Sequence, residues 1–354
     1  SLSLQLPYLL KTRIPFLFAL RSFALATCRF NDDLLQITVG KTLFDHADQS
    51  EGIRVPTSCN RNGTCHECIV RVLEGATALS ERTAAERFLT GEYRLACQAV
   101  VERDDVPLVV ETLKRKPKIL SKHSTVAALW DPLTKRRDDD IYRDDTKIDS
   151  YHGAIYGLAV DVGTTTVVAQ LIDLETGEQR KSVAFANPQV FGGNNVLHRI
   201  NFDTADPNRE LQNILISQLD GEIHRFGSWQ QIYETVIVAN PTMRDIFFGL
   251  PVETLGQKPF RSITEHEWRD GKRETTAVES MPYEVKLTMN KRGIVYGGPL
   301  IASHVGADTA AGVLATRMFE SDRPSMLIDM GTNTEVVIGN RERLIAASCP
   351  AGPA

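Results

Sequence analysis

The sequence predicts two fold classes in one chain, α+β and then α/β, on three observations. Cys59, Cys65, Cys68 and Cys97 are spaced C-x5-C-x2-C-x28-C within a run of short strand-like segments. An apolar strand ending in Asp161-Val-Gly163-Thr164-Thr165-Thr166 recurs 168 residues later as Asp329-Met-Gly331-Thr332-Asn333-Thr334. Between the two features lies a charge-dense stretch with the composition of a linker. At 354 residues the chain has room for two or three domains. The expected boundaries are an N-terminal extension at 1–29, a first domain at 30–112, a linker at 113–153, a middle domain at 154–320 and the start of a further domain at 321–354.

The first 31 residues contain no acid and four basic residues. The apolar run Ile14 to Cys28 is interrupted by Arg21 and is too short to span a bilayer, so no membrane partner is expected. A transit-like or amphipathic segment, translated upstream sequence and a fragment end all remain open here.

In the first domain, Leu34 to Val39 alternates as a strand, and Thr42 caps a short helix. Cys68 to Leu73 reads as a strand ending at Gly75. A helix is expected from Ser80 to about Leu89, and another strand from Arg94 to Val101. Three cysteines close together on a Gly-containing loop and a fourth on a later strand suit a 2Fe–2S cluster. The plant-type run has four residues in its first gap, and this chain has five. The competing readings are a structural zinc site, which usually pairs two C-x2-4-C knuckles, and four buried free thiols. His66 and Glu67 lie between two ligands and are expected to tune electrostatics or partner choice. From about Phe30 to Val110 the chain resembles 2Fe–2S ferredoxins of the C-x5-C-x2-C kind, which implies a β-grasp fold.

Six cysteines, four of them assigned to a cluster, indicate a reducing, cytoplasmic setting. Cys28 and Cys349 are left as packing residues. A net charge of −5 without a basic stripe argues against nucleic acid. The linker, from Lys114-Arg-Lys-Pro-Lys118 to Arg136-Arg-Asp-Asp-Asp140, reads as a solvated hinge with a more apolar middle at Val126 to Trp130.

The repeated Asp-x-Gly-Thr turn favours a nucleotide triphosphate. Glycine lets the backbone approach a phosphate, while threonine hydroxyls and amides donate to it. The aspartates would be repelled by phosphate, so Asp161 and Asp329 are expected to hold Mg²⁺ or its waters, or to orient an attacking water. One such turn alone is an ordinary hairpin; two in matched strand contexts suggest loops facing across one ATP. Gly163, Thr164, Thr165, Thr166, Gly331, Thr332 and Asn333 are the expected phosphate-contacting residues. Asn240 reads either as a helix cap or as a group near phosphate. Asp308 reads either as a helix start or as a metal-water carboxylate. His198 and His304 read as surface or packing histidines.

The paired loops resemble the phosphate-1 and phosphate-2 loops of the acetate and sugar kinase, heat-shock chaperone and actin superfamily. Ala186-Asn-Pro-Gln189 with Phe191-Gly-Gly193, Val238-Ala-Asn240-Pro-Thr-Met243, and Val305-Gly306-Ala-Asp308-Thr-Ala-Ala-Gly312 narrow this to a resemblance to reductive activators of corrinoid proteins. That resemblance covers about 30–354. It implies a β-grasp ferredoxin domain followed by an incomplete actin-like ATPase region, and ATP-driven electron transfer to Co(II) of a corrinoid protein or corrinoid methyltransferase. It also implies an upstream low-potential electron donor, and allows a homodimer. Ala239 stands where the family often has Gly, which suggests a less permissive backbone. The chain stops at Cys349-Pro-Ala-Gly-Pro-Ala354, so residues for adenosine are expected beyond it. A second function class stays open at this level: a redox-sensing or small-molecule kinase-like fusion, for which no sugar or acetate pocket is visible in the sequence.

Overall fold

A computed structural model describes residues 27–57, 59–113, 130–331 and 333–350. The first unit contains strands β1 (Thr27–Phe30), β2 (Asp33–Gln36), β3 (Ile69–Glu74), β4 (Tyr93–Leu95) and β5 (Leu108–Thr112), with helix α1 (Leu43–Ala47). They form one sheet in the order β2-β1-β5-β3-β4, with β1 and β5 parallel and the other pairs antiparallel. Phe30, Leu43, Leu95 and Leu108 fill its core at 0% exposure. Thr42 caps α1 with a reciprocal Asp45 contact, the capping box read in the sequence.

Three expectations need correction here. The supposed extension at 1–29 contributes Thr27 to Arg29 to β1, where Cys28 is fully buried; the rest of that segment lies outside the described residues. The expected helix from Ser80 is only a 3-10 turn at Ala84–Glu86. Glu86 explains this: it is buried, caps the turn through the Thr83 N–H, and binds the Arg94 guanidinium and the Leu95 N–H. The Ser80 hydroxyl accepts from the Val100 N–H instead of capping a helix. The expected strand Arg94 to Val101 is likewise reduced to β4 and isolated bridges at Val100 and Val101.

The supposed hinge also contains a folded element. β6 (Thr134–Arg137), β7 (Asp140–Arg143) and β8 (Thr146–Ser150) make a three-stranded antiparallel sheet. Ile141 is its anchor, buried with Ile155, Leu174 and Tyr233. The Tyr233 hydroxyl donates to Asp149 at 3.0 Å, and Arg143 donates to the Arg292 carbonyl at 2.7 Å. The charges point outward while a few apolar contacts fasten the sheet to the middle unit. Lys114 to Lys118 and Val126 to Leu129 lie outside the described residues.

The middle unit contains β9 (Tyr156–Val162), β10 (Thr166–Asp173), β11 (Gln179–Ala186), α2 (Val196–Ala205), α3 (Glu210–Phe226), β12 (Ile232–Ala239), α4 (Pro241–Phe247), α5 (Ile263–Arg269), β13 (Val278–Ser280), β14 (Ile294–Gly297) and α6 (Ala307–Thr316). Its sheet runs β11-β10-β9-β12-β14-β13. A meander of β9 to β11 is followed by parallel additions of β12 and β14, the arrangement of an actin-like ATPase half. A second meander follows: β15 (Ser325–Met330), β16 (Asn333–Gly339) and β17 (Leu344–Pro350). It repeats the β9 to β11 design, and α6 packs against both β12 and β15. Among the described residues no helix is long and apolar enough to cross a membrane.

Candidate cluster and nucleotide sites

The cysteine loop leaves α1 and returns into β3. Cys59, Cys65, Cys68 and Cys97 are all free thiols. They stand as two pairs. Cys68 Sγ and Cys97 Sγ are 3.3 Å apart and buried. Cys59 and Cys65 are half-buried, and each lies 3.9 Å from the Thr57 hydroxyl. Burial works against ionisation of Cys59, but hydrogen bonds from the Cys65 N–H and thiol, the Thr64 N–H and Thr57 outweigh it and hold the thiol down to about 5. Cys97 is held down to about 7 by its hydrogen bond with Cys68, with Gln98 donating to it as well. A lone four-coordinate ion needs its ligands gathered about one point; among the described residues no three His, Cys, Asp or Glu side chains are so grouped. Four free thiols gathered as two pairs around one loop fit a 2Fe–2S group, which Cys59, Cys65, Cys68 and Cys97 would hold.

His66, at a left-handed φ of 56°, turns out of the cysteine loop. Its Nδ1 lies 2.9 Å from Glu210 Oε2 at the start of α3. Its ring rests on Phe88 at 4.3 Å, and Phe88 meets Phe191 edge-on at 5.8 Å. The hydrogen bond that His66 donates to Glu210, together with the negative charge of that carboxylate, raises the His66 pKa against the opposing effect of burial. The cysteine loop is thus in contact with the middle unit.

The first Asp-x-Gly-Thr turn joins β9 to β10. A Cβ on Gly163 would lie 2.6 Å from the Thr166 carbonyl, so this turn tolerates only glycine. Asp161 sits opposite Val168 in the hairpin, and Asp329 opposite Glu335 in the second. Gly331 closes the second turn by donating to the Asn333 carbonyl at 2.8 Å. Thr332 lies outside the described residues. Asp308 stands in the first turn of α6, which begins against the end of β12: a Cβ on Gly306 would lie 2.4 Å from the Ala239 carbonyl. Asp161 sits at an exposed position of β9, yet desolvation by the protein around its carboxyl raises it to about 6, and the charges of Asp308 and Asp329 add to this. Asp308 is also raised, first by burial and then by Asp329. The charges of Asp308 and Asp329 thus act on Asp161, which sets the three aspartates singled out in the sequence near one another.

Glu335 is the residue that sequence reading passed over. It is buried in β16, accepts from Ser348, and is raised first by burial and then by Asp308 and Asp329. Its place directly across from Asp329 was the available signal. Asn240 caps α4 through the Met243 N–H, as one of its two readings expected, and its amide also donates to the Thr164 hydroxyl at 3.1 Å. Asp308 accepts from the Thr309 N–H within α6. Ala239 ends an extended strand, so no glycine is required there. Thr165 and Thr166 lie at the mouth of the first turn, outside the buried Thr164.

Three family comparisons fall on these units in order. Residues 31–102 match a 2Fe-2S iron-sulfur cluster binding domain, 156–321 the RACo middle region, and 323–354 the C-terminal domain of RACo, the ASKHA domain. In domain content and order the chain resembles the reductive activators of corrinoid proteins. The chain is 31% identical over 208 residues to the corrinoid activation enzyme RamQ of Eubacterium limosum, covering 56% of the chain and 33% of that protein. It is 28% identical over 202 residues to the [Co(II) methylated amine-specific corrinoid protein] reductase of Methanosarcina barkeri, covering 56% of the chain and 37% of that protein. The chain thus spans about a third of the length of these two relatives. A solved reductive activator for a corrinoid, iron-sulfur protein has the same fold, with a TM-score of 0.57 at 24% identity over 93% of this chain and 63% of that one.

Proposed function

We propose that this chain is part of an ATP-dependent reductive activator that delivers single electrons to Co(II) of a corrinoid protein or corrinoid methyltransferase, giving Co(I). The observation that carries the reading is the presence on one chain of a paired-thiol site and a two-loop carboxylate cleft. When bound, the 2Fe–2S cluster supplies one-electron storage, refilled by a low-potential donor. Cys59, Cys65, Cys68 and Cys97 are its ligands. The buried pair Cys68 and Cys97 keeps water from one side, while the half-exposed pair Cys59 and Cys65 faces the side a partner can approach.

Gly163, Thr164, Thr165 and Thr166 of the first turn, with Gly331 and Asn333 of the second and Thr332 outside the described residues, would receive the ATP phosphates. Asp161, Asp308 and Asp329 would hold Mg²⁺ or its waters, which an ion that dehydrates reluctantly would supply. Asn240 fixes the Thr164 hydroxyl. Six free cysteines are in keeping with a cytoplasmic setting. The names of the two relatives, a corrinoid activation enzyme and a corrinoid protein reductase, support the choice of partner.

Two measurements test the sites. Anaerobic reconstitution should yield iron and labile sulfide in equal amounts, about two of each per chain, and stoichiometric zinc without iron would refute the cluster. Asp329→Ala in the full-length protein should slow ATP turnover by roughly tenfold or more, and unchanged turnover would refute the cleft.

A further inference from the structure

Every carbonyl of the first phosphate turn is held from behind. Gly163 O accepts from Asn187 Nδ2 at 2.7 Å, Thr164 O from Arg199 Nη2 at 2.7 Å, and Thr165 O from the Asn187 N–H at 2.8 Å. Asn187 follows β11, and Arg199 lies in α2. They are 2% and 1% exposed.

Arg199 is an unusual core residue. Its remaining bonds go to the Gly193 carbonyl at 3.0 Å, Gln189 Oε1 at 3.3 Å and Met243 Sδ at 3.1 Å. All of these partners are neutral, and among the described residues no carboxylate lies within ion-pair distance of it. Burial pushes its guanidinium down to about 9, which leaves it cationic at neutral pH. A buried cation without a counter-charge is costly, and a hydrocarbon side chain would fill the same space. Its planar fork does what a hydrocarbon cannot: it draws two carbonyls, Thr164 and Gly193, toward one centre.

We infer that Arg199, with Asn187, is a positioning residue for the first phosphate turn. Both turn its carbonyl oxygens into the fold, so that nucleotide phosphate meets donors instead of lone pairs. This rests on the nucleotide reading of the cleft. Without Arg199 the Thr164 peptide is free to rotate, and an outward carbonyl would repel the phosphate. A donor array fixed before the ligand arrives loses nothing to reorganisation on binding. The uncompensated positive charge one peptide behind the turn adds to the attraction for an anion.

The test uses full-length, cluster-loaded protein carrying Arg199→Met, Arg199→Lys or Asn187→Ala. Calorimetry compares ATP, inorganic tripolyphosphate and adenosine, with iron content and melting temperature measured in parallel. Arg199→Met should weaken ATP and tripolyphosphate about tenfold, the scale of one charge-assisted hydrogen bond, and leave adenosine unchanged. Arg199→Lys should recover part of the affinity, since an ammonium keeps the charge and loses the fork. If Arg199→Met does not fold, Arg199→Lys and Asn187→Ala carry the same comparison. Unchanged phosphate affinity in folded variants, or an equal fall for adenosine, overturns the inference. Failure of the unaltered protein to bind either ATP or tripolyphosphate overturns the nucleotide reading itself.

Discussion

His66 Nδ1 meets Glu210 Oε2 at 2.9 Å, and this contact ties the cysteine loop to the first turn of a helix in the middle unit. It is backed by the Phe88–Phe191 contact, and Phe191 belongs to the same short turn as Gln189, an Arg199 partner. The docking face of the cluster domain and the support of the phosphate turn therefore share one segment, Asn187 to Gly193.

Glu210→Ala should loosen this docking without unfolding either unit. A half-buried pair of this kind contributes about 1 kcal/mol, so amide exchange around Phe88 and in 187–193 should speed up roughly fivefold. Exchange in β12 should not change. Identical exchange at both faces would show that the contact does not hold the units together.

Asp161 supplies a prediction with a pH signature. Its carboxyl is raised from 3.8 to about 6, so the folded chain holds this proton more tightly than the unfolded chain. The contribution to stability is fully present below about pH 4 and is lost as pH rises through about 6. Asp161→Asn should then raise the melting temperature at pH 7, by an amount of order 1 kcal/mol once solvent screening in the open cleft is allowed for. The difference should vanish near pH 4, and ATP turnover should fall at least tenfold. A lower melting temperature at pH 7 would contradict the proximity of the three aspartates.

The chemistry was legible in the sequence because it sits in local patterns. The cysteine spacing, the repeated Asp-x-Gly-Thr turn and the Thr42 cap each depend on residues adjacent in the chain. What was missed depends on distant partners. Glu86 reads as an ordinary helical residue until Arg94 is folded onto it. Arg136 and Arg137 read as hinge charges, because a single buried Ile141 is too little apolar signal to mark a sheet. Arg199 and Asn187 carry no motif of their own; only folding sets them behind the phosphate turn.

The central claim is that one chain couples ATP to the movement of single electrons onto cobalt. Co(I) is a very strong reductant, so electron flow to it from a ferredoxin-type cluster is uphill. ATP can help only by favouring a conformation or complex in which Co(II) is easier to reduce. For a one-electron couple each ~59 mV is tenfold in the equilibrium constant, so a modest shift changes the Co(I) population substantially. The direct measurement mixes full-length protein, a low-potential reductant and a Co(II) corrinoid protein, and follows Co(I) absorbance with and without ATP. The account predicts Co(I) only when ATP is present and Cys59, Cys65, Cys68 and Cys97 are intact. Equal Co(I) formation without ATP, or in a Cys68→Ser variant that lacks the cluster, would contradict it.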